Sequence, residues 1–187
     1  MSTETVQPTT TQTTWTIDPK HSLVELSVKH MMFTTVKGRF ADLKGTIVVD
    51  DANLASSSVE AEIAAASIDT REEQRDAHLR SADFLHVEQH PTITFKSTRI
   101  EAATGSDHYQ VIGDLTIRGT TREVVLDTTL NGRGKNPWGQ EVAGFTAETT
   151  INRKDFGLNW NAALETGGLL VSDTVKILLE VQASAQS

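Results

Sequence analysis

Six histidines and two well-placed arginines carry most of the chemistry this sequence could perform, because it contains no cysteine. That absence removes disulfides, thiolate nucleophiles and cysteine-held zinc or iron–sulfur sites. The histidines are His21, His30, His78, His86, His90 and His108, and an imidazole can ligate a metal or act as a general base. Spacing argues against shared sites. His21 and His30 bracket the stretch "HSLVELSVKH" with an odd separation, so in a straight strand they point to opposite faces about 30 Å apart. His86 and His90 are four apart, as one helical turn requires, but Pro91 ends that turn at once. No HExxH or paired-histidine zinc spacing occurs, and no GxSxG elbow presents a serine. Gly132, Gly134 and Gly139 fall in a hairpin tip, not between a strand and a helix where phosphates are cradled. The sequence therefore predicts no metal, no cofactor and no catalytic residue.

Arg75 and Arg153 remain, each a permanently charged fork suited to oxyanions. Arg153 lies in "INRKDFGL", where Phe156 offers an aromatic anchor and Gly157 can take positive φ. That stretch reads either as a corner salt-bridged through Arg153 and Asp155 or as a polar contact to a ligand head group. Arg75 shares a face with His78, Leu79 and Ala82 on a helix expected over about residues 70–87, opened by a Thr70/Glu73 capping box. On another face Asp76 and Arg80 read as a solvated ion pair.

The elements that must position these groups are almost all strands. Period-two alternation puts Val24, Leu26, Val28 and His30 on one face of "HSLVELSVKH". It groups Val36, Gly38 and Phe40 in "VKGRF", and Ile93 with Phe95 in "TITFKS". "YQVIGDLTIRG" and "REVVLDTTL" flank Gly119-Thr120 as a hairpin, and "GFTAETTI" and "TVKILLEVQ" follow. So many short antiparallel strands predict an all-β barrel or sandwich, with closure favoured because it removes exposed edges.

Charge and composition narrow the partners. With 17 Lys and Arg against 25 Asp and Glu, the net charge is −8. No basic run offers a nucleic-acid or anionic-membrane surface. No stretch approaches the roughly 18 continuous apolar residues a spanning helix needs, so membrane insertion is not expected. The opening "MSTETVQPTTTQTT" has neither a basic n-region nor an apolar core. It predicts a disordered tail over 1–14, one domain over 15–182, a flexible end over 183–187 and a cytoplasmic protein.

The ordered set "TWTIDPKHSLVELSVKH", "VKGRF", "SIDTREEQRDAHLRSADFL", "PTITFKS", "GDLTIRGTTREVVL", "INRKDFGL" and "VSDTVKILLEV" resembles the YceI family, lipocalin-like proteins that bind polyisoprenoids. Leu26 stands where that family commonly has an aromatic, which alters cavity shape rather than fold. The resemblance implies a lipocalin-like eight-stranded antiparallel barrel with one helical segment, an isoprenoid lipid in the lumen and a homodimer. Candidate ligand-binding residues are then Val24, Leu26, Val28, His30, Val36, Phe40, Arg75, His78, Ile93, Phe95 and Arg153. The expected function is non-enzymatic carriage or sequestration of a polyprenyl compound or isoprenoid quinone. Two other readings stay open: an enzyme using a histidine base on a small hydrophobic substrate, and a partner-binding β module.

Overall fold

The computed structural model describes residues 12–165 and 168–186. Its strands are β1 (Gln12–Ile17), β2 (Leu23–His30), β3 (Thr34–Phe40), β4 (Leu43–Asp50), β5 (Ser58–Ala64), β6 (Ile68–Asp69), β7 (Thr92–Ala102), β8 (His108–Ile117), β9 (Thr120–Lys135), β10 (Glu141–Asn152) and β11 (Thr174–Ala185), with one α-helix, α1 (Glu73–Arg80). Neighbours run β1-β4-β5-β7-β8-β9-β10-β11, and β11 pairs back onto β1. This is a closed eight-stranded antiparallel barrel, so no edge in the ring is left unpaired.

Three of the eight staves are broken once. β2 continues β1 beside β11, β3 continues β4 beside β2, and β6 continues β5 beside β3. The first break has a chemical cause in "DPKHS". Pro19 cannot donate to the ladder, and a 3-10 turn over Pro19–His21 replaces the strand, capped by Asp18 accepting from the Lys20 N–H at 2.9 Å. Ser22 repairs the gap: its hydroxyl donates to the Gln182 carbonyl (3.3 Å) and accepts from the Gln182 N–H (3.1 Å).

β1 starts at Gln12 and β11 runs to Ala185, so the sheet extends three residues beyond each expected limit of 15–182. The rest of the expected N-terminal tail, residues 1–11, and Ser187 lie outside the described residues. Register defines two ends. At the lower end Trp15 pairs with Ala185 and is 3 % exposed, with the Arg133 guanidinium over its ring at 5.2 Å. At the upper end Asn152 pairs with Thr174, and there the β2–β3 hairpin, α1 and the described residues between β10 and β11 gather.

The helix is shorter than the sequence suggests. Arg71 sits at φ 67°, which no α-helix accommodates, so the helix cannot begin at Thr70. Glu72 caps it instead, its carboxylate accepting from the Gln74 and Arg75 N–H groups at 3.2 and 2.6 Å. Ser81 ends it, and turns occupy 82–89. Nor do Asp76 and Arg80 form a solvated pair. Asp76 is buried and takes two bonds from Thr70, while Arg80 donates to the Ala66 and Ile68 carbonyls at 2.9 Å each. Both side chains tether α1 to the end of the β5–β6 stave. At the β8–β9 hairpin the turn residues are Arg118 (φ 48°) and Gly119 (φ 73°); Thr120 already pairs with Ile117, one residue earlier than expected.

Candidate functional site

Alternation along each stave sends one set of side chains inward, and from the upper end down to the level of Phe145 and Val181 these sets do not meet. A cavity of about 540 Å³ remains, within the roughly 300–1,000 Å³ of small-molecule sites. Val24, Leu26 and Val28 line it from β2, Val36 and Phe40 from β3, and Ile93 and Phe95 from β7. Glu25 lies on the opposite parity and reaches Lys37 across the outer face at 3.4 Å. Gly38 is a bare position in this wall for a reason: a Cβ there would come within 2.8 Å of the Thr70 methyl, so its lack of a side chain lets the segment before α1 close onto β3.

Most of the polar lining comes from the upper end, the walls adding only the hydroxyls of Thr94, Thr128 and Thr149. His30, Arg75, His78 and Arg153 all border the cavity, together with Lys29, Thr70 and Gln74. Thus all eleven residues singled out in the sequence face one space. Among the described residues no Asp or Glu lines it. The chemistry on offer is an apolar sleeve with neutral and cationic groups at its rim.

The two arginines play different parts. Arg153 is 3 % exposed, and its guanidinium donates to the carbonyls of Ser172 (2.9 Å), Leu158 (2.6 Å), Trp160 (2.8 Å) and Val171 (3.4 Å). Its ionic partner is Asp173 at 3.7 Å rather than Asp155. Burial pushes its pKa below the ordinary arginine value, opposed by the Asp173 charge. With its three nitrogens turned to main chain or Asp173, Arg153 braces the loop that carries Leu158, Trp160, Val171 and Ser172, which fits the corner better than the head-group contact; only Nη2, 3.4 Å from the Val171 carbonyl and beyond hydrogen-bonding distance of Asp173, is loosely held. Arg75 is only partly committed. Its Nε donates to the Thr70 hydroxyl and its Nη2 to the Thr70 carbonyl, each at 2.7 Å, and Nη1 has no partner among the described residues.

His78 donates from Nε2 to the Asp83 carboxylate at 2.8 Å, and its ring stands edge-on to Trp160 (4.6 Å) and Phe84 (5.1 Å). The cluster ties α1 to the loop that Arg153 braces. Phe84, Trp160, Leu170 and Val171 also line the cavity and were not foreseen; they lie in irregular stretches where no period assigns a face. His21 is far from this arrangement in role: it is exposed, and its Nδ1 donates to Asp18 at 2.7 Å. The rings of His86 and His90 meet at 5.9 Å. Among the described residues no group of three or more His, Asp or Glu could hold a metal ion, and no helix is long and apolar enough to cross a membrane.

A family model described as "YceI-like domain" matches residues 15–183. A UPF0312 protein of Staphylococcus epidermidis is 41% identical over 175 residues, covering 93% of this chain and 96% of its own. A UPF0312 protein of Pseudomonas aeruginosa is 36% identical over 167 residues, covering 89% and 83%. Among solved structures, Burkholderia cenocepacia BcnA superposes with a TM-score of 0.77 at 25% identity, covering 89% of this chain and 98% of its own. A polyisoprenoid binding domain from Saccharophagus degradans shares the fold, with a TM-score of 0.70 at 15% identity over 95% of this chain and 100% of its own.

Proposed function

The chain belongs to the family of YceI-like domains, and from that premise we propose that it binds an isoprenoid lipid in its lumen and carries or sequesters it without chemical change. The observation that carries this reading is the cavity itself: mainly apolar walls, no carboxylate among the described lining residues, and a rim where one guanidinium nitrogen of Arg75 has no partner among the described residues. Such a site suits a branched hydrocarbon tail with a neutral or anionic head. Each buried methylene-sized unit contributes about 0.8 kcal/mol, so a few isoprene units hold the ligand with no covalent bond. The fold shared with a domain described as polyisoprenoid binding supports the same class of ligand.

Within this reading the eleven sequence-selected residues divide. The seven apolar ones contact the tail, Arg75 grips the head, His30 and His78 border it, and Arg153 holds the rim in shape. The test is organic extraction of the purified chain followed by mass spectrometry. A prenyl lipid recovered in near-equal amount to protein is the expected result. A clean chain that fails to take up any isoprenoid overturns it, and turnover of a small hydrophobic substrate by that clean chain would establish the histidine-based enzyme instead.

A further inference from the structure

The β2–β3 hairpin ends in an apolar tip. Met31, Met32 and Phe33 are 37 %, 67 % and 81 % exposed, and Leu169 lies beside them at 40 %. These four are most of the large hydrophobics left exposed among the described residues; the others, Val125 and Trp138, lie elsewhere on β9 and at the β9–β10 turn. The turn is also an unfavourable one for the residues in it. Met31 and Met32 both take positive φ (52° and 67°), and the Phe33 N–H donates to the His30 carbonyl at 3.1 Å. Only a few per cent of non-glycine residues adopt such φ, and turns of this kind favour Asn-Gly. Holding two methionines there displays side chains that folding alone does not need.

The tip is continuous with the cavity rim. The Met31 N–H donates to the Leu170 carbonyl at 2.9 Å, and both Leu170 and His30 line the cavity. Charge is distributed to match. From Leu26 to Ala41 there is no Asp or Glu, although the chain as a whole carries −8. Lys37 and Arg39 are paired with Glu25 and Asp69, while the Lys29 ammonium, bonded to the Thr35 hydroxyl, has no ionic partner among the described residues. An acidic protein thus presents an apolar hairpin with no carboxylate of its own and with one cation lacking an ionic partner at its base, although the adjoining loop closed by the Ala163–Leu169 bridge carries the exposed Glu165.

We propose that this tip docks into the interfacial layer of a phospholipid bilayer, bringing the cavity rim to the apolar phase from which the ligand is drawn. The Met32 and Phe33 side chains enter the boundary between head groups and acyl chains, and Lys29 lies at phosphate level. A second copy of this chain fits the tip less well, since four side chains around a convex turn fall short of the about 800 Å² per partner of a stable interface. The proposal rests on the carrier reading for its purpose, not for its geometry.

The experiment uses the full chain, phosphatidylcholine vesicles and geranylgeraniol as the probe. Two variants alter the tip: Met32→Ser with Phe33→Ser, and Met31→Asn with Met32→Gly, the second of which suits the turn and keeps the hairpin folded. Both are expected to reduce co-sedimentation with vesicles, and the rate of geranylgeraniol uptake from them, by about tenfold or more. Affinity for geranylgeraniol added from solvent should stay within about twofold, since the tip is not part of the lumen. Vesicle binding unchanged in both variants overturns the proposal. So does a wild-type chain that ignores vesicles but forms a dimer which the variants split. A chain that binds vesicles through the tip yet accepts geranylgeraniol from neither source keeps the docking and rejects the carrier reading.

Discussion

Thr70 directs both its backbone N–H (2.9 Å) and its hydroxyl (2.5 Å) at one oxygen of the buried Asp76 carboxylate, six residues further on. The same hydroxyl accepts from Arg75 Nε. Asp76 therefore fixes Thr70, and Thr70 fixes the guanidinium at the cavity rim.

Replacing Asp76 with alanine strands two buried donors. The expected loss is about 2–4 kcal/mol, read from urea unfolding, because each unsatisfied group costs its desolvation. Asp76→Asn keeps an acceptor in place and should lose less than half of that. Equal losses in the two variants would mean that the Thr70 bonds contribute little.

Strand parity predicts opposite outcomes for adjacent residues. Leu26→Asp puts an unpaired carboxylate into the apolar sleeve and should abolish lipid retention. Glu25→Ala removes only half of a surface pair with Lys37, normally worth about 0–1 kcal/mol, and should retain lipid. Circular dichroism on both variants separates lost binding from lost fold; retention by a folded Leu26→Asp chain would refute the inward assignment.

The two arginines should separate stability from binding. Arg153→Ala leaves its carbonyl partners without their donor and is expected to cost about 3–5 kcal/mol of stability, as removal of one member of a buried charged network does. Arg75→Ala should weaken binding of a prenyl phosphate by roughly 10–100-fold, the worth of a charge-assisted hydrogen bond, and of the prenyl alcohol much less. Titration calorimetry with the two ligands reads the difference, and equal weakening would place the head group elsewhere.

Acid should act at the break in the first stave. The hydrogen bond from His21 is the largest influence holding the Asp18 carboxyl below its ordinary 3.8, against a smaller opposing effect of burial. A carboxyl depressed on folding adds stability above its unfolded pKa, and that contribution is lost as pH falls through the folded value. In His21→Ala, Asp18 followed by NMR should titrate closer to 3.8, and the acid limb of stability below about pH 4 should flatten slightly. No movement of the Asp18 titration would show that the 2.7 Å contact is not kept in solution.

What the sequence made legible was whatever repeats. Val24, Leu26 and Val28 announce a face because the pleat alternates strictly, and Phe156 with Gly157 announces a corner because a buried ring and a positive φ (77°) are local requirements. The helix limits were not legible. A Thr70/Glu73 capping box is a sound local pattern, but Arg71 at φ 67° and the burial of Asp76 are set by packing against β3 and β6. The carbonyls that occupy Arg153 come from 158–172, a stretch without period, so only its nearest acidic neighbour in sequence, Asp155, suggested itself. Alternation also says nothing of whether an interior is filled, and the hollow had to come from the curvature of eight closed staves.

The ring is sealed by its first and last strands. Trp15 registers with Ala185, and the Gln186 amide donates to the Thr16 hydroxyl across 170 residues of chain. During synthesis every other stave can therefore find a neighbour made shortly before it, while the seam waits until β11 has left the ribosome. Until then the nascent sheet is an open ribbon with two unpaired edges and its apolar inner surface bare to water. Such long-range closure is slow relative to local pairing, and the ribbon is the species from which aggregation, or rescue by a chaperone, would start.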